Sequence, residues 1–273
     1  MTADRPILET IGRLNRLALH IPIEADPAAD GPWIGSPVLS APDAPPLKRI
    51  MDGLSRQGFG MDRRAAAASF MLRFGWSSGY AIGAYMLDRR VPVLDGLALR
   101  FHERYMFLNG VRAGGPIFHS LPGDTHPDAR PTAGPEALAE TLFTELHGHA
   151  APVVRALHVW SGFSERALWA MVTSSWSAQF ANLGEALGRP AQALAQARQL
   201  FAMAEATLRR ALPEVYLVES QGRAGICHKR AACCLYFKAP GADYCASCPL
   251  IPEPDRLASN RRWIARTCRE GAA

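Results

Sequence analysis

The feature that most constrains this chain is a run of cysteines in its last fifth. Cys233 and Cys234 are adjacent, Cys245 follows after ten intervening residues and Cys248 after two more, in the string CCLYFKAPGADYCASC. Four thiols within sixteen residues read as a metal site, because thiolates are soft, anionic ligands that suit zinc, cuprous ion and iron-sulfur clusters. Cys227 and Cys268 lie outside the run.

A chain of 273 residues, 48% of them apolar, can build one large or two modest cores and needs no disulfides to fold. The opening residues, MTADRPILETIGRLNRL, place acids and arginines where an export signal would carry a basic patch and then an apolar stretch. The expected setting is therefore the cytoplasm, with peripheral association at the inner membrane also allowed. Disulfides are disfavoured in that setting, which strengthens the case for metal ligation. The most apolar segment, Ala65 to Leu87, contains Arg73, three serines and three glycines. It reads as a pair of core helices and not as a membrane span. The net charge of +5 comes from scattered arginines and only three lysines, Lys48, Lys229 and Lys238. No basic run interleaved with aromatics suggests nucleic acid; an acidic protein partner or an anionic ligand suits the charge.

Along the chain, Leu8, Ile11, Leu14 and Leu17 mark an amphipathic helix over residues 7–20. Seven prolines between Pro22 and Pro46 indicate coil. Lys48 to Leu54 offers a short helical turn. Asp62 is placed to cap a helix through Arg73, and Ser77 or Ser78 to cap the next. Leu97 to Phe101 and Tyr105 to Leu108, around His102, Glu103 and Arg104, suggest a small hairpin. Gly110 to Gly134 lacks periodicity and reads as a ligand-covering lid. A mononuclear metal site from its Arg112, His119, Asp124 and His126 is the weaker alternative, since polar residues gather in loops anyway.

Pro135 starts a helix as far as Gly148, and a second segment covers Val153 to Trp160. His147 and His149 would face apart on that helix and read as surface histidines. Ser164 caps a long core helix that ends at Gly188, and Pro190 starts another through Leu212, making a helical hairpin. The run VYLV is strand-like, and Asp255 is placed to cap a final helix rich in arginine. The expected fold is α+β and mainly helical, with a small β-hairpin and a C-terminal cysteine-rich module. The expected division is residues 1–60 as a helix and Pro-rich coil, 61–214 as a helical body and 215–273 as the cysteine module.

Zinc is usually held by cysteine pairs spaced by two to four residues, a pattern that Cys245 and Cys248 fit. Adjacent residues in an extended chain point to opposite sides, so Cys233 and Cys234 are easier to place on two metal centres than on one small ion. The plant-type ferredoxin spacing is absent. His228, Lys229 and Arg230 just before the pair could stabilise a reduced, more negative cluster. A four-cysteine zinc site stays open on spacing alone.

The segment ACCLYFKAPGADYCASCPL, with Tyr236 after the adjacent pair and Pro249 after the last cysteine, resembles the C-terminal 2Fe-2S segment of the FhuF-like siderophore-iron reductases. More loosely, APVVRALHVWSGFSERALWAMVTSS, Ala151 to Ser175, is similar to a helical segment that those reductases share with some siderophore synthetases. With the helices between, the likeness covers about half of the chain, and residues 1–60 add nothing to it. The resemblance implies a 2Fe-2S cluster on Cys233, Cys234, Cys245 and Cys248. It implies one-electron reduction of a ferric siderophore of the hydroxamate type, so that iron leaves in the ferrous state. Hard oxygen chelators hold ferric iron far more tightly than ferrous, so the electron itself loosens the complex. No nucleophile, acid/base pair or Gly-rich nucleotide loop is evident. Electrons are therefore expected from an external ferredoxin or flavin reductase. Arg104, Arg112, Arg262 and Arg266 are the candidate substrate cations, with Trp160, Trp169 and Trp176 as aromatic candidates better read as core. The competing readings are an interaction protein stapled by four-cysteine zinc and a general 2Fe-2S electron carrier.

Overall fold

The computed structural model describes residues 6–17, 21–26, 28–56, 62–239 and 241–270, with side chains as far as residue 266. Helix α1 (Pro6–Arg16) buries Ile7, Ile11 and Leu14; residues 18–20 of the expected helix lie outside the described residues. The Pro-rich stretch is more ordered than its composition suggests. It contributes β1 (Ile23–Glu24), β2 (Ile34–Gly35) and a 3-10 turn over Ser36–Ser40. The short turn expected at Lys48 is the twelve-residue helix α2 (Pro45–Arg56). Its prolines sit where no intrahelical N–H is needed, and Leu47, Ile50, Met51 and Leu54 bury one face.

Asp62 caps α3 (Arg63–Phe74) as expected, accepting from the Ala65 N–H at 2.7 Å. Ser78 precedes α4 (Gly79–Asp88) but makes no capping bond through its side chain. Strands β3 (Arg90–Pro92), β4 (Ala98–Phe101), β5 (Leu108–Arg112), β6 (Phe118–Ser120) and β7 (Ala129–Pro131) follow. A hairpin forms as β4–β5, with Leu99 opposite Val111, but its second strand begins at Leu108, where the expected strand over Tyr105 to Leu108 ends, and Glu103 to Tyr105 form the turn. It extends into a four-stranded sheet in the order β1-β5-β4-β2. Residues 110–134, read as a lid, instead supply the end of β5 and two strands of a second sheet, β3-β6-β7. These strands are two to five residues long and exist through pairing with distant partners, which no local periodicity reports.

The two segments expected on either side of Gly148 form one helix, α5 (Pro135–Ser161). Pro152 removes the N–H that would bond the Gly148 carbonyl. The helix nevertheless continues, because Leu142, Leu146, Val153, Val154 and Leu157 are all buried along it. Ser164 caps α6 (Glu165–Ala186) through the Ala167 N–H. This helix is apolar or small on every side and forms the centre of the body, packed by α3, α4, α5 and α7 (Pro190–Ala202). The second long helix stops at Ala202 and not at Leu212. An unbroken helix of that span would be about 34 Å long. The break lets α8 (Ala206–Arg209) return to α6, where Thr173 Oγ1 donates to the Ala211 carbonyl at 2.9 Å.

The chain ends in a hairpin, β8 (Glu214–Ser220) and β9 (Arg223–Lys229), then the cysteine loops and α9 (Glu253–Glu270). Asp255 lies inside the first turn of α9 and does not precede it. The fold is α+β and mainly helical. One buried core runs from Ile11 through the helices to Ile226 and Cys234. Among the described residues no helix is long and apolar enough to cross a membrane.

Candidate metal centre

The hairpin aims the cysteine loops at the helical body. Its turn, Gln221–Gly222, has positive φ at both residues, 51° and 75°, the geometry that suits a two-residue loop between twisted strands. Strand β9 lies against α6 and hands the chain to Arg230, whose N–H donates to the Ser247 carbonyl at 2.9 Å. That bond ties the start of the module to the second loop, which is itself closed by Cys248 N–H to Cys245 carbonyl at 2.9 Å. The adjacent pair is followed by Leu235 at φ 62°, and the Leu235 N–H donates to Cys233 Sγ at 3.3 Å. A leucine in the left-handed region is sterically costly. Here it turns the chain sharply after two thiols that an extended backbone would send apart.

Cys234 and Cys248 are buried, and Cys233 and Cys245 are partly so. The thiols of Cys234 and Cys245 share a hydrogen bond, which pushes Cys234 up, with burial adding to the rise, and holds Cys245 down. The Arg230 guanidinium favours the thiolate at Cys234, Cys245 and Cys248, while burial pushes Cys248 up. Among the described residues, no group of three or more His, Cys, Asp or Glu side chains is arranged to hold a metal ion as it stands. Cys245 senses Cys234 and Cys248, Cys248 senses Cys233 and Cys234, and one guanidinium acts on Cys234, Cys245 and Cys248; thiols gathered in this way are of the kind that suits a thiolate-bound cluster. Cys227 sits apart from them, packed with Val218 and Ile264. Burial first, and then Glu185, pushes its thiol up to about 11, as befits a structural thiol. The Cys268 side chain lies outside those described.

Arg230 is fixed by a short network. Its Nε donates to Ser174 Oγ at 3.1 Å, and Ser174 Oγ lies 2.7 Å from His228 Nε2. Burial first, and then Arg230, lowers His228 to about 3. A neutral imidazole can thus accept the serine proton while the serine oxygen accepts from arginine. Arg230 Nη1 is buried and has no hydrogen-bond partner among the described residues.

These groups open onto a cleft of about 350 Å³ between α3, α6 and the cysteine loops. Its wall includes Arg73, Trp76, Ser174, Arg230, Tyr236 and the two cysteines Cys234 and Cys245. Close helix packing shapes it: a side chain at Gly75 would come within 2.7 Å of Ser175 Cβ, and Ser175 Oγ donates to the Leu72 carbonyl at 2.6 Å. Arg73 Nη1 donates to the Ser69 carbonyl and hydroxyl, and its guanidinium lies 3.9 Å from the Phe107 ring centroid. Burial lowers Arg73 to about 10.

The four arginines expected at the substrate do not border this cleft. Arg104 is exposed and stacks over Tyr105. Arg112 donates to the Ala29 carbonyl at 2.8 Å and stacks over Trp33. Arg262 and Arg266 are exposed on α9. None of the four lines the cleft. Trp176 is fully buried, Trp169 stacks on His147 and Trp160 lies under Arg63, so Trp76 is the tryptophan at this site. Arg73 and Trp76 were missed because they sit in a stretch that reads as core. A lone arginine inside an apolar helix was the available signal.

A second cavity of similar size, about 400 Å³, holds no cysteine. It lies beside α5 and is lined by Ser36, Asp95, Glu145, His149 and Pro152 among others. His149 is not the surface residue expected. It stacks on Phe74 at 4.9 Å, its Nε2 lies 2.7 Å from Ser77 Oγ and its Nδ1 3.3 Å from Ser36 Oγ. Burial lowers it to about 4. His119, Asp124 and His126 form no metal group; His119 faces Glu145, and His126 faces Asp128.

Residues 230–250 match the family described as FhuF 2Fe-2S C-terminal domain. The matched stretch contains all four cysteines of the run together with Arg230, and it agrees with a FhuF-like relationship carried by this short module. Such a match suggests a siderophore-iron reductase type of function. No curated protein matches the chain.

Proposed function

We propose that the protein is a ferric-siderophore reductase in which Cys233, Cys234, Cys245 and Cys248 hold a 2Fe-2S cluster. The observation that carries this reading is the opening of Cys234 and Cys245 into a cleft that also presents guanidinium and aromatic groups. A bound cluster would supply a single electron to a ferric chelate in the cleft. The chain's own residues then have definable tasks. The turn at Leu235 and the Arg230–Ser247 bond hold the two thiol loops together. Arg230, braced by Ser174 and His228, keeps positive charge beside thiolates that carry excess negative charge. Trp76 and Tyr236 give the chelate apolar surface. No general base is required, because loss of iron follows from the weaker hold of oxygen ligands on the ferrous ion.

The substrate in this reading is a hydroxamate-type ferric siderophore, and electrons come from an external ferredoxin or flavin reductase. The setting is the cytoplasm, and residues 215–273 act as the electron-transfer module. Protein purified without oxygen should be red-brown and contain iron and acid-labile sulfide in equal amounts. Once chemically reduced, it should be reoxidised by ferric hydroxamates with release of ferrous iron to a colorimetric trap. Colourless protein with stoichiometric zinc would overturn the reading in favour of a zinc-stapled module. Reoxidation by any oxidant except ferric chelates would favour a general electron carrier.

A further inference from the structure

Arg73 lines the cleft beside Cys234 and Cys245, and one face of its guanidinium is covered by the Phe107 ring at 3.9 Å. Phe107 in turn stacks on Tyr105, with ring centroids 6.0 Å apart, and Tyr105 lies 4.9 Å from His102. Flat groups thus form a ladder that leads from the cleft wall along the turn between β4 and β5. Tyr105 is 42% exposed and Phe107 36%. Both rings keep apolar surface in water, and patches of this kind mark interaction or ligand sites.

The turn that carries them is closely held. The His102 N–H donates to the Phe107 carbonyl and the Met106 N–H to the His102 carbonyl, each at 2.8 Å. His102 Nδ1 also accepts from the Arg104 and Tyr105 N–H groups, at 3.2 and 3.3 Å. Met106, between the two rings in sequence, has φ 50°, a sterically costly conformation for a residue with a side chain. Its side chain meets α2 at Gly53, where a Cβ would come within 2.5 Å of Met106 Cγ. The core side of the turn is therefore anchored through Met106, while Tyr105 and Phe107 are left facing solvent. Backbone strain kept in place by packing, next to exposed rings, is the mark of a presented surface.

We propose that the Tyr105 and Phe107 rings form an outlying subsite of the cleft, which receives the organic arm of a chelate whose iron centre sits beside Cys234 and Cys245. The identity of the ligand as an iron chelate rests on the reductase reading; the subsite itself rests on the turn. Size argues for this occupant. A cleft of about 350 Å³ is at the small end of ligand sites. It takes a ferric ion with its oxygen donors, but the chains that join three chelating groups in a hexadentate hydroxamate have to leave it. Tyr236, also exposed, adds a third ring at the rim. Flat or hydrocarbon groups gain from packing against such faces, so the favoured substrates are chelates with a bulky apolar or aryl terminus. Phe107 and Tyr105 are the specificity-determining residues, and the preference is for shape and apolar area at constant charge.

Gallium(III) has the charge and ligand preference of ferric iron but is not reduced under these conditions, so its chelates separate binding from electron transfer. The experiment is titration calorimetry of the intact protein with the uncharged gallium complexes of one linear trihydroxamate, prepared with either a terminal acetyl or a terminal benzoyl group. The benzoyl form should bind about fivefold more tightly, as one added ring contact allows. Phe107→Ala should bring the two forms to within about 1.5-fold, chiefly by weakening the benzoyl form, and Phe107→Tyr should keep the preference. Tyr105→Ala, at an exposed position, should lower it to about twofold and tests the subsite even if Phe107→Ala does not fold. Equal affinity of the two forms in the unaltered protein, no binding of either, or a preference that both alanine variants leave intact would overturn the proposal. So would unchanged gallium binding in the variants together with their slower reduction by a reduced ferredoxin, which would give the turn to the electron donor. A benzoyl preference with no reduction of the matching ferric complexes would leave the subsite standing and remove the reductase reading. Reduction of both ferric complexes without a preference would do the reverse.

Discussion

The two cavities flanking α5 and α6 have similar volumes, about 350 and 400 Å³, and opposite chemistry. One is walled by thiols, a tryptophan and two arginines, with no carboxylate. The other is walled by Asp95, Glu145 and a histidine held neutral between two serines. In the first, Arg73 is held by Ser69 and a ring face, and Arg230 stands beside thiols that it draws toward the thiolate form. In the second, Glu145 already accepts from the Leu94 N–H at 2.8 Å and faces His119, so its polarity is spent on holding α5 against the β3 loop. Cavities of similar size thus differ in how their polar groups are satisfied: by thiols in one place and by backbone and histidine contacts in the other.

The sharpest way to break this contrast is at the thiols. Cys234→Ser removes the buried member of the pair facing the cleft, and should abolish visible absorption and bound iron almost completely. Retained absorption would show that Cys234 is not a ligand and would turn attention to Cys227.

The next effect belongs to the other cavity. His149 is pushed down to about 4 from the ordinary value near 6.5 by burial. Between those pH values the unfolded chain binds a proton there and the folded protein does not, so stability rises with pH through this window and is lost as pH falls. The loss should total about 3 kcal/mol below pH 4. Urea midpoints measured from pH 7 to pH 4 check it, and His149→Gln should flatten the slope.

Smallest is the effect of the cation beside the thiols. Arg230→Gln removes positive charge that favours the more negative, reduced centre. It should make the reduction potential more negative by about 60 mV, equivalent to about 1.4 kcal/mol for one electron. Spectroelectrochemical titration reads this directly, and an unchanged or raised potential would exclude Arg230 from that role.

Much of the helical framework was legible from residue order, because caps and stripes are local. Asp62 and Ser164 cap the helices that their spacing announces. The strands were mostly not legible. β1 is two residues long and is held by Val111, far along the chain, and β9 was passed over although Gln221–Gly222 after an apolar run was a usable turn signal. His149 was misread because its face of α5 meets Phe74, Ser36 and Ser77 from three other segments.

The sequence by itself determined where the thiols fall along the chain. Four cysteines lie within sixteen residues, so only short loops need to close for their thiols to approach one another. Only the tertiary structure decided which charges face them. Arg73 arrives on α3, Ser174 on α6 and Arg230 at the end of β9. Their meeting depends on how closely α3 and α6 approach at Gly75 and Ser175, a packing distance that no local pattern encodes.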